Sequence, residues 1–342
     1  MGRPIGLLRE GYPYLKTLGM RRITGFPIDV AFGSNDVIYI LTRNVGSAFI
    51  RVWTFDDAEQ LTDDLVQIGS YGKGEGQFEW PVQIITDCKG NLYVSDEANH
   101  NISTFSSDGE FITRWGNLGS KEGEFNAPTG IGFDTQGNMI VADSLNHRIQ
   151  KYTSSGEFLS QFGSHGSEDG KFDTPWGVHV DELGNIYVAD WGNNRIQVFT
   201  DEADHIMSIT GNPVTGLTMQ GPSSVTVDLH GDIYVTDWAN NRVLMFDSKG
   251  RYIWKFLGDA SLSRCARNYM LTNAYPNRLR EMANLEEEKY LRKPTSVRVD
   301  GKLRLCIADH HSYRVQVYQK EATELDEHTI SEPLRNPTLA TV

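Results

Sequence analysis

The chain has 342 residues, 39% hydrophobic and 23% charged, which is ordinary for a folded protein of one large or two average domains. Its 45 acidic and 32 basic residues give a net charge of −13, which repels phosphate backbones and anionic headgroups, so neither nucleic acid nor a membrane is an expected partner. Cys88, Cys265 and Cys306 are too few and too scattered for a disulfide framework, and the opening stretch lacks a signal-peptide core, so a cytoplasmic protein is expected.

In chain order, residues 13–19 (PYLKTLG) read as a short strand with no neighbour to pair with. A repeat then begins. Pro81, Pro128, Pro175 and Pro222 are each 47 residues apart; Pro27 lies 54 before Pro81, and Pro294 lies 72 after Pro222. Each unit opens with an alternating strand after its Pro (VQIITD, TGIGFD, WGVHVD, SSVTVD, TSVRVD). A Gly-containing turn, read as a two-residue hairpin, leads to a second strand ending in Asp (NLYVSD, NIYVAD, DIYVTD). A third strand (RIQKY, RIQVF, RVLMF, RVQVY) and a fourth (EFITRWG, EFLSQFG, YIWKFLG) complete the unit.

Four antiparallel strands in each of six units predict an all-β fold, a six-bladed β-propeller over residues 1–320. The sixth unit lacks a fourth strand, and residues 13–19 are expected to supply it and close the ring. Phe105, Tyr152, Phe199 and Phe246 recur at intervals of 47, and Phe78, Phe125 and Phe172 stand three before their prolines; all seven are expected between blades. The extra 25 residues before Pro294 place a helical insertion at 259–293. Pro276 is expected in the first turn of a helix running to Lys293, with Leu279, Met282 and Leu285 on its apolar face, and the insertion is a candidate lid over the channel. Residues 321–342 read as a polar C-terminal tail.

The pattern P-x-G-[IV]-x-V-D, G-N-[IL]-Y-V-[AS]-D, N-x-R-[IV]-Q-[VK]-[FY] resembles the NHL repeat. Among enzymes built on it, the chain is distantly similar to peptidyl-α-hydroxyglycine α-amidating lyase. That resemblance implies a functional Arg at the end of the first unit's second strand, here Arg43. It also implies three metal-binding His just after alternate prolines, where this chain has Val82, Trp176 and Thr295. None of these replaces imidazole, and Leu145 stands near the position of the family's catalytic Tyr, so the amidating-lyase mechanism is not expected.

A repeat also separates scaffold from site. Residues present in every unit, such as Asp96, Asp143, Asp190, Asp237 and Asp309 with their following Asn and Arg, should serve the blade. Residues that break the pattern near the loop-bearing mouth are site candidates. Arg43, His179, His310 and Tyr313 are the expected catalytic residues. Asp29, Gln83, Trp176, Trp191, Trp238 and Arg298 are the expected ligand-binding set. His179, His310 and His311 are the candidate holders of a divalent metal, zinc or calcium. The expected function is a small-molecule enzyme of lyase or hydrolase type; the alternative is a non-catalytic scaffold for a protein or ligand.

Overall fold

The computed structural model describes residues 6–19, 24–55, 67–212 and 217–325. Six four-stranded antiparallel sheets follow one another along the chain. Blade one runs from Pro27–Phe32 to Gln67–Ile68, blade two from Pro81–Thr86 to Phe111–Trp115 and blade three from Pro128–Phe133 to Phe158–Phe162. Blade four runs from Pro175–Val180 to His205–Ile209, and blade five from Pro222–Val227 to Tyr252–Phe256. Blade six takes Pro294–Val299, Arg304–Asp309 and Arg314–Gln319, and its outer strand is the N-terminal Tyr14–Leu18, paired to Arg314–Gln319. The inner strands meet in sequence around the ring, blade six against blade one. The expected closure is therefore found.

Six apolar clusters fill the six junctions between blades. All seven periodic aromatics are at most 1% exposed within them. Hydrogen bonds between blades reinforce this packing. Ser95 Oγ donates to Thr129 O, Thr129 Oγ1 to Trp176 O at 2.9 Å, Ser223 Oγ to Thr295 O at 2.9 Å and Thr295 Oγ1 to Ile28 O at 2.8 Å. Gly130 and Gly177 let the inner strands of blades three, four and five approach backbone to backbone: a Cβ on Gly130 would stand 2.3 Å from Trp176 O, and one on Gly177 would stand 2.8 Å from Ser223 O.

The repeated Asp residues act as the internal comparison predicts. Asp143 accepts Asn126 N–H at 2.6 Å, Asn146 Nδ2 at 2.8 Å and Arg148 Nε at 2.8 Å, and Asp190 and Asp237 repeat this arrangement. Each carboxylate thus ties the loop before Pro to the loop after the second strand. The first turn differs from expectation. It is not a two-residue hairpin: residues 87–91 separate the strands, and Asp87 accepts Lys89 N–H and Asn91 N–H at 2.8 Å each while Gly90 turns at φ +85°. Closing the turn through the Asp side chain requires the longer loop.

The insertion is three short helices: α1 (Arg264–Thr272), α2 (Ala274–Glu281) and α3 (Leu285–Glu288). Ser263 caps α1 through Ala266 N–H at 3.2 Å, and Asn284 begins α3 by accepting Glu286 N–H at 3.2 Å, so the expected single helix is broken before Leu285. Cys265 packs into the junction of blades six and one, while Leu279, Met282 and Leu285 are exposed instead of covering an apolar face. Glu321–Leu325 pairs antiparallel with Gly6–Gly11, so this part of the expected tail is a strand; residues 326–342 lie outside the described residues. Among the described residues, no helix is long and apolar enough to cross a membrane.

Candidate functional site

The residue after each second-strand Asp slot holds an equivalent place in every blade, and in three blades its side chain lines a cavity at the mouth. In blade one Thr42 fills the Asp slot, pairing with Pro27 as Asp96 pairs with Pro81, and Arg43 follows it. Arg43 N–H donates to Phe26 O at 3.0 Å just as Glu97 N–H donates to Trp80 O at 3.1 Å and Ser144 N–H to Ala127 O at 3.2 Å. The ring of six is therefore Arg43, Glu97, Ser144, Trp191, Trp238 and His310.

A cavity of about 210 Å³ opens beside three of these six residues. Arg43, Trp191 and Trp238 line it from the mouth loops. Ile28, Val82, Trp176, Ser223 and Thr295 line it from the first position after each Pro, and Asp29, Gln83, Ser224, Ser296 and Arg298 from deeper in the inner strands. Seven expected site residues thus converge: Arg43, Asp29, Gln83, Trp176, Trp191, Trp238 and Arg298. Their chemistry is unequal. Arg298 donates Nε to Asp29 Oδ1 at 2.9 Å and Nη2 to Asp29 Oδ2 at 2.8 Å, while Ile84 N–H donates to the same carboxylate at 3.1 Å. Gln83 Nε2 donates to Ile131 O and, at 3.4 Å, to Val178 O. These three form a satisfied floor.

Arg43 is different. Its Nη1 donates to Pro81 O at 3.2 Å and its guanidinium lies 4.3 Å from the Trp80 ring centroid; among the described residues no carboxylate hydrogen-bonds it. Burial lowers its pKa to about 10, with Glu97 and then Asp96 opposing, so it stays protonated at neutral pH. Burial likewise raises the Glu97 carboxyl, against the pull of Arg43. Opposite stand the indoles, Trp176 and Trp191 with centroids 6.5 Å apart, and Trp238 with Lys293 Nζ 3.9 Å over its ring. Ser224 Oγ and Ser296 Oγ are buried in the wall and find no hydrogen-bond partner among the described residues.

Other expectations are corrected. His179 lines a second cavity at the opposite end of the channel, with Asp181, Asp228 and Asp300. It sits two residues below the position that faces the mouth, on the same strand face, so alternation aims it correctly but at the wrong end. Burial and then Arg298 push its pKa down to about 4. His310 and Tyr313 flank the Phe26 ring, at 5.0 Å and 4.6 Å between centroids, and neither lines the mouth cavity. His310 donates Nδ1–H to Pro27 O at 3.1 Å; burial chiefly, helped by Arg43 and His311, lowers its pKa to about 4. His311 is exposed.

The grouping of His179, His310 and His311 as a metal site is therefore overturned: two belong to the mouth loops and one to the far end. Among the described residues, the side chains that come within 4.8 Å of one another as a metal set are His147, His165 and Asp173. His147 Nδ1 already accepts Thr174 N–H at 3.0 Å, as His100 Nδ1 accepts Ala127 N–H at 3.1 Å, so its ring performs a blade-to-blade link that a metal would have to break. Among the described residues, none from α1, α2 or α3 lines the mouth cavity, while Lys293, at the end of the expected insertion, reaches Trp238. Ser224 and Ser296 stand at the inner-strand position whose small and polar side chains are expected to face the channel, and both line the cavity, whereas Glu97 was not among the expected site residues. Glu97 was detectable, because the slot after the Asp differs in character from blade to blade.

Comparison with known proteins agrees with this architecture. The NHL repeat model matches residues 172–199, and a model described as a 6-bladed beta-propeller matches residues 67–164. The chain is a six-bladed β-propeller with one matched NHL repeat. No curated protein matches the sequence of this propeller. Among solved structures, virginiamycin B lyase from Staphylococcus aureus superposes with a TM-score of 0.55 at 12% identity, covering 90% of this chain and 99% of that one. A gluconolactonase from Xanthomonas campestris gives 0.58 at 12% identity over 92% and 100%. The WD40 propeller domain of Doa1 gives 0.56 at 10% identity over 91% and 97%. Identities this low establish a shared fold and nothing about chemistry.

Proposed function

We propose that this propeller is an enzyme acting on a small anionic molecule held in the mouth cavity, by lyase- or hydrolase-type chemistry. One observation carries the reading: Arg43 is a charged guanidinium in a cavity wall with no carboxylate hydrogen-bonded to it among the described residues. Burying a cation without a counter-ion costs stability, and such groups concentrate where a ligand supplies the missing charge. Arg43 would bind an anionic group or polarise a developing oxyanion. Glu97 is its strongest electrostatic neighbour and has a raised pKa, so it is the carboxyl group suited to move a proton. The lyase and gluconolactonase folds support the reaction class by analogy only.

The test is turnover of a panel of small lactones, esters and acids, followed by proton release and by loss of substrate. Arg43→Met should lower kcat/KM by roughly 100-fold or more. A panel whose members bind but return unchanged favours the second reading, a non-catalytic scaffold. That reading draws on Trp191, which is 39% exposed at the mouth.

A further inference from the structure

We propose that the outer groove between blades five and six docks an extended, basic segment of a partner protein as an added strand. The groove has a volume of about 620 Å³ and runs along the whole outer strand of blade five, Tyr252–Phe256, with residues 9–12 and Tyr290 opposite. It shares no lining residue with the mouth cavity. The repeat shows which of its side chains the blade does not need. Blades two, three and four carry Thr113, Ser160 and Met207 where blade five has Trp254. Tyr290 comes from the insertion and Tyr12 from the N-terminal segment, and neither has a counterpart in another blade. Trp254 is 56% and Tyr290 49% exposed, and neither side chain makes a hydrogen bond or ring contact among the described residues. Beneath them lie Tyr12, Phe256 and Tyr318, with ring centroids 5.2 Å apart for Tyr12 and Phe256 and 5.4 Å for Phe256 and Tyr318.

Backbone and charge together select the occupant. Tyr252–Phe256 pairs on one side only, with Arg242–Phe246, so alternate N–H and C=O groups on its other side have no strand beside them. An extended peptide supplies that strand, and five residues of it match the edge at about 17 Å. Four charged residues line the groove. Arg9 is spent on Asp232, which accepts its Nε at 2.8 Å. Lys255 alternates to the strand face shared with Leu244, which packs toward blade four, while Trp254 shares its face with Met245 and packs toward blade six. Glu10 and Asp259 remain; Glu10 accepts Thr323 Oγ1 at 2.6 Å and keeps its charge. Glu287 and Glu288 stand exposed just ahead of Tyr290, and Lys289 is tied to Glu286 at 2.8 Å. The groove is therefore acidic, on a chain of net charge −13. Negative charge beside open indole and phenol faces selects lysine and arginine side chains.

The test is fluorescence anisotropy of a labelled, capped peptide of alternating lysine and valine, titrated with the full chain at low and at physiological salt. Two comparison peptides carry glutamate in place of lysine, or methylated backbone nitrogens at alternate positions to remove their N–H donors. The lysine peptide should bind, should weaken as salt rises, and should exceed both comparisons by about tenfold. Trp254→Thr gives blade five the residue type that blade two carries at this place. It should keep the wild-type melting temperature and lower lysine-peptide affinity about tenfold, and Tyr290→Ser should act in the same direction. Arg43→Met should leave the affinity unchanged, which separates this groove from the mouth. Equal binding of the glutamate or N-methylated peptide overturns the proposal. So does binding that survives Trp254→Thr and Tyr290→Ser together, since attraction to the acidic surface as a whole then explains it. Failure of the lysine peptide to bind, or its loss in Arg43→Met, overturns it equally.

Discussion

Arg298 in blade six grips Asp29 in blade one through two parallel hydrogen bonds across 269 residues of sequence, and Asp29 reaches on to Ile84 N–H in blade two. One carboxylate therefore joins the last blade to the first two at the floor of the cavity. Arg298→Met would leave the carboxylate buried without its cation. It should destabilise the chain by about 3–5 kcal/mol, and adding Asp29→Asn should recover much of that loss. Urea unfolding of the single and double variants measures both effects.

A second buried network ties Arg9 and Lys320 to blade five. Lys320 is 3% exposed; its Nζ donates to Asp228 and, at 2.7 Å, to Asp232, which also accepts Arg9 Nε at 2.8 Å. Lys320→Met should therefore cost about 3–5 kcal/mol, because two acids lose their shared cation. The expected signature is earlier proteolysis near Gly6–Gly11 and Glu321–Leu325, measured by limited digestion and mass spectrometry.

Acid should weaken the fold through two histidines. His179 and His310 have folded-state pKa values pushed from 6.5 to about 4. Both are thus held neutral, and protonation favours the unfolded chain. Their contribution is complete above pH 6.5 and is lost as pH falls toward 4, at about 1.4 kcal/mol per unit of displacement for each group. Denaturation midpoints between pH 7 and 4 should fall less steeply in His310→Asn than in wild type.

Gly221 sets the position of the aromatic wall. It adopts φ +61°, and a Cβ there would stand 2.9 Å from Trp191 Nε1. Gly221→Ala should destabilise by about 1 kcal/mol and displace the indole. A shift in tryptophan emission together with weaker binding of carboxylate probes is the expected result. An unchanged spectrum would count against Trp191 resting on this turn.

Much of the architecture was legible because a repeat is its own control. Prolines 47 residues apart, alternating strands and a sixth unit lacking one strand led to six blades closed by residues near the N-terminus, since no other arrangement buries both faces of every sheet. The helical insertion was visible as excess length but not as three helices, because its breaks depend on local caps at Ser263 and Asn284. Seven of the expected site residues meet in one cavity, because strand direction and alternation fix which loops and faces share a mouth.

The sequence by itself determined the blade, its count, its closure and the identity of residues too unusual to be scaffold. Only the tertiary structure decided which of those residues have chemistry to spare. Asp29 and Arg298 satisfy each other, His179 faces the far opening, and His310 leans on Pro27, whereas Arg43 lines the cavity with no carboxylate hydrogen-bonded to it among the described residues. Periodicity reports where a side chain is placed along a strand. Whether its polar atoms are already partnered depends on neighbours hundreds of residues away, brought together only when the ring closes.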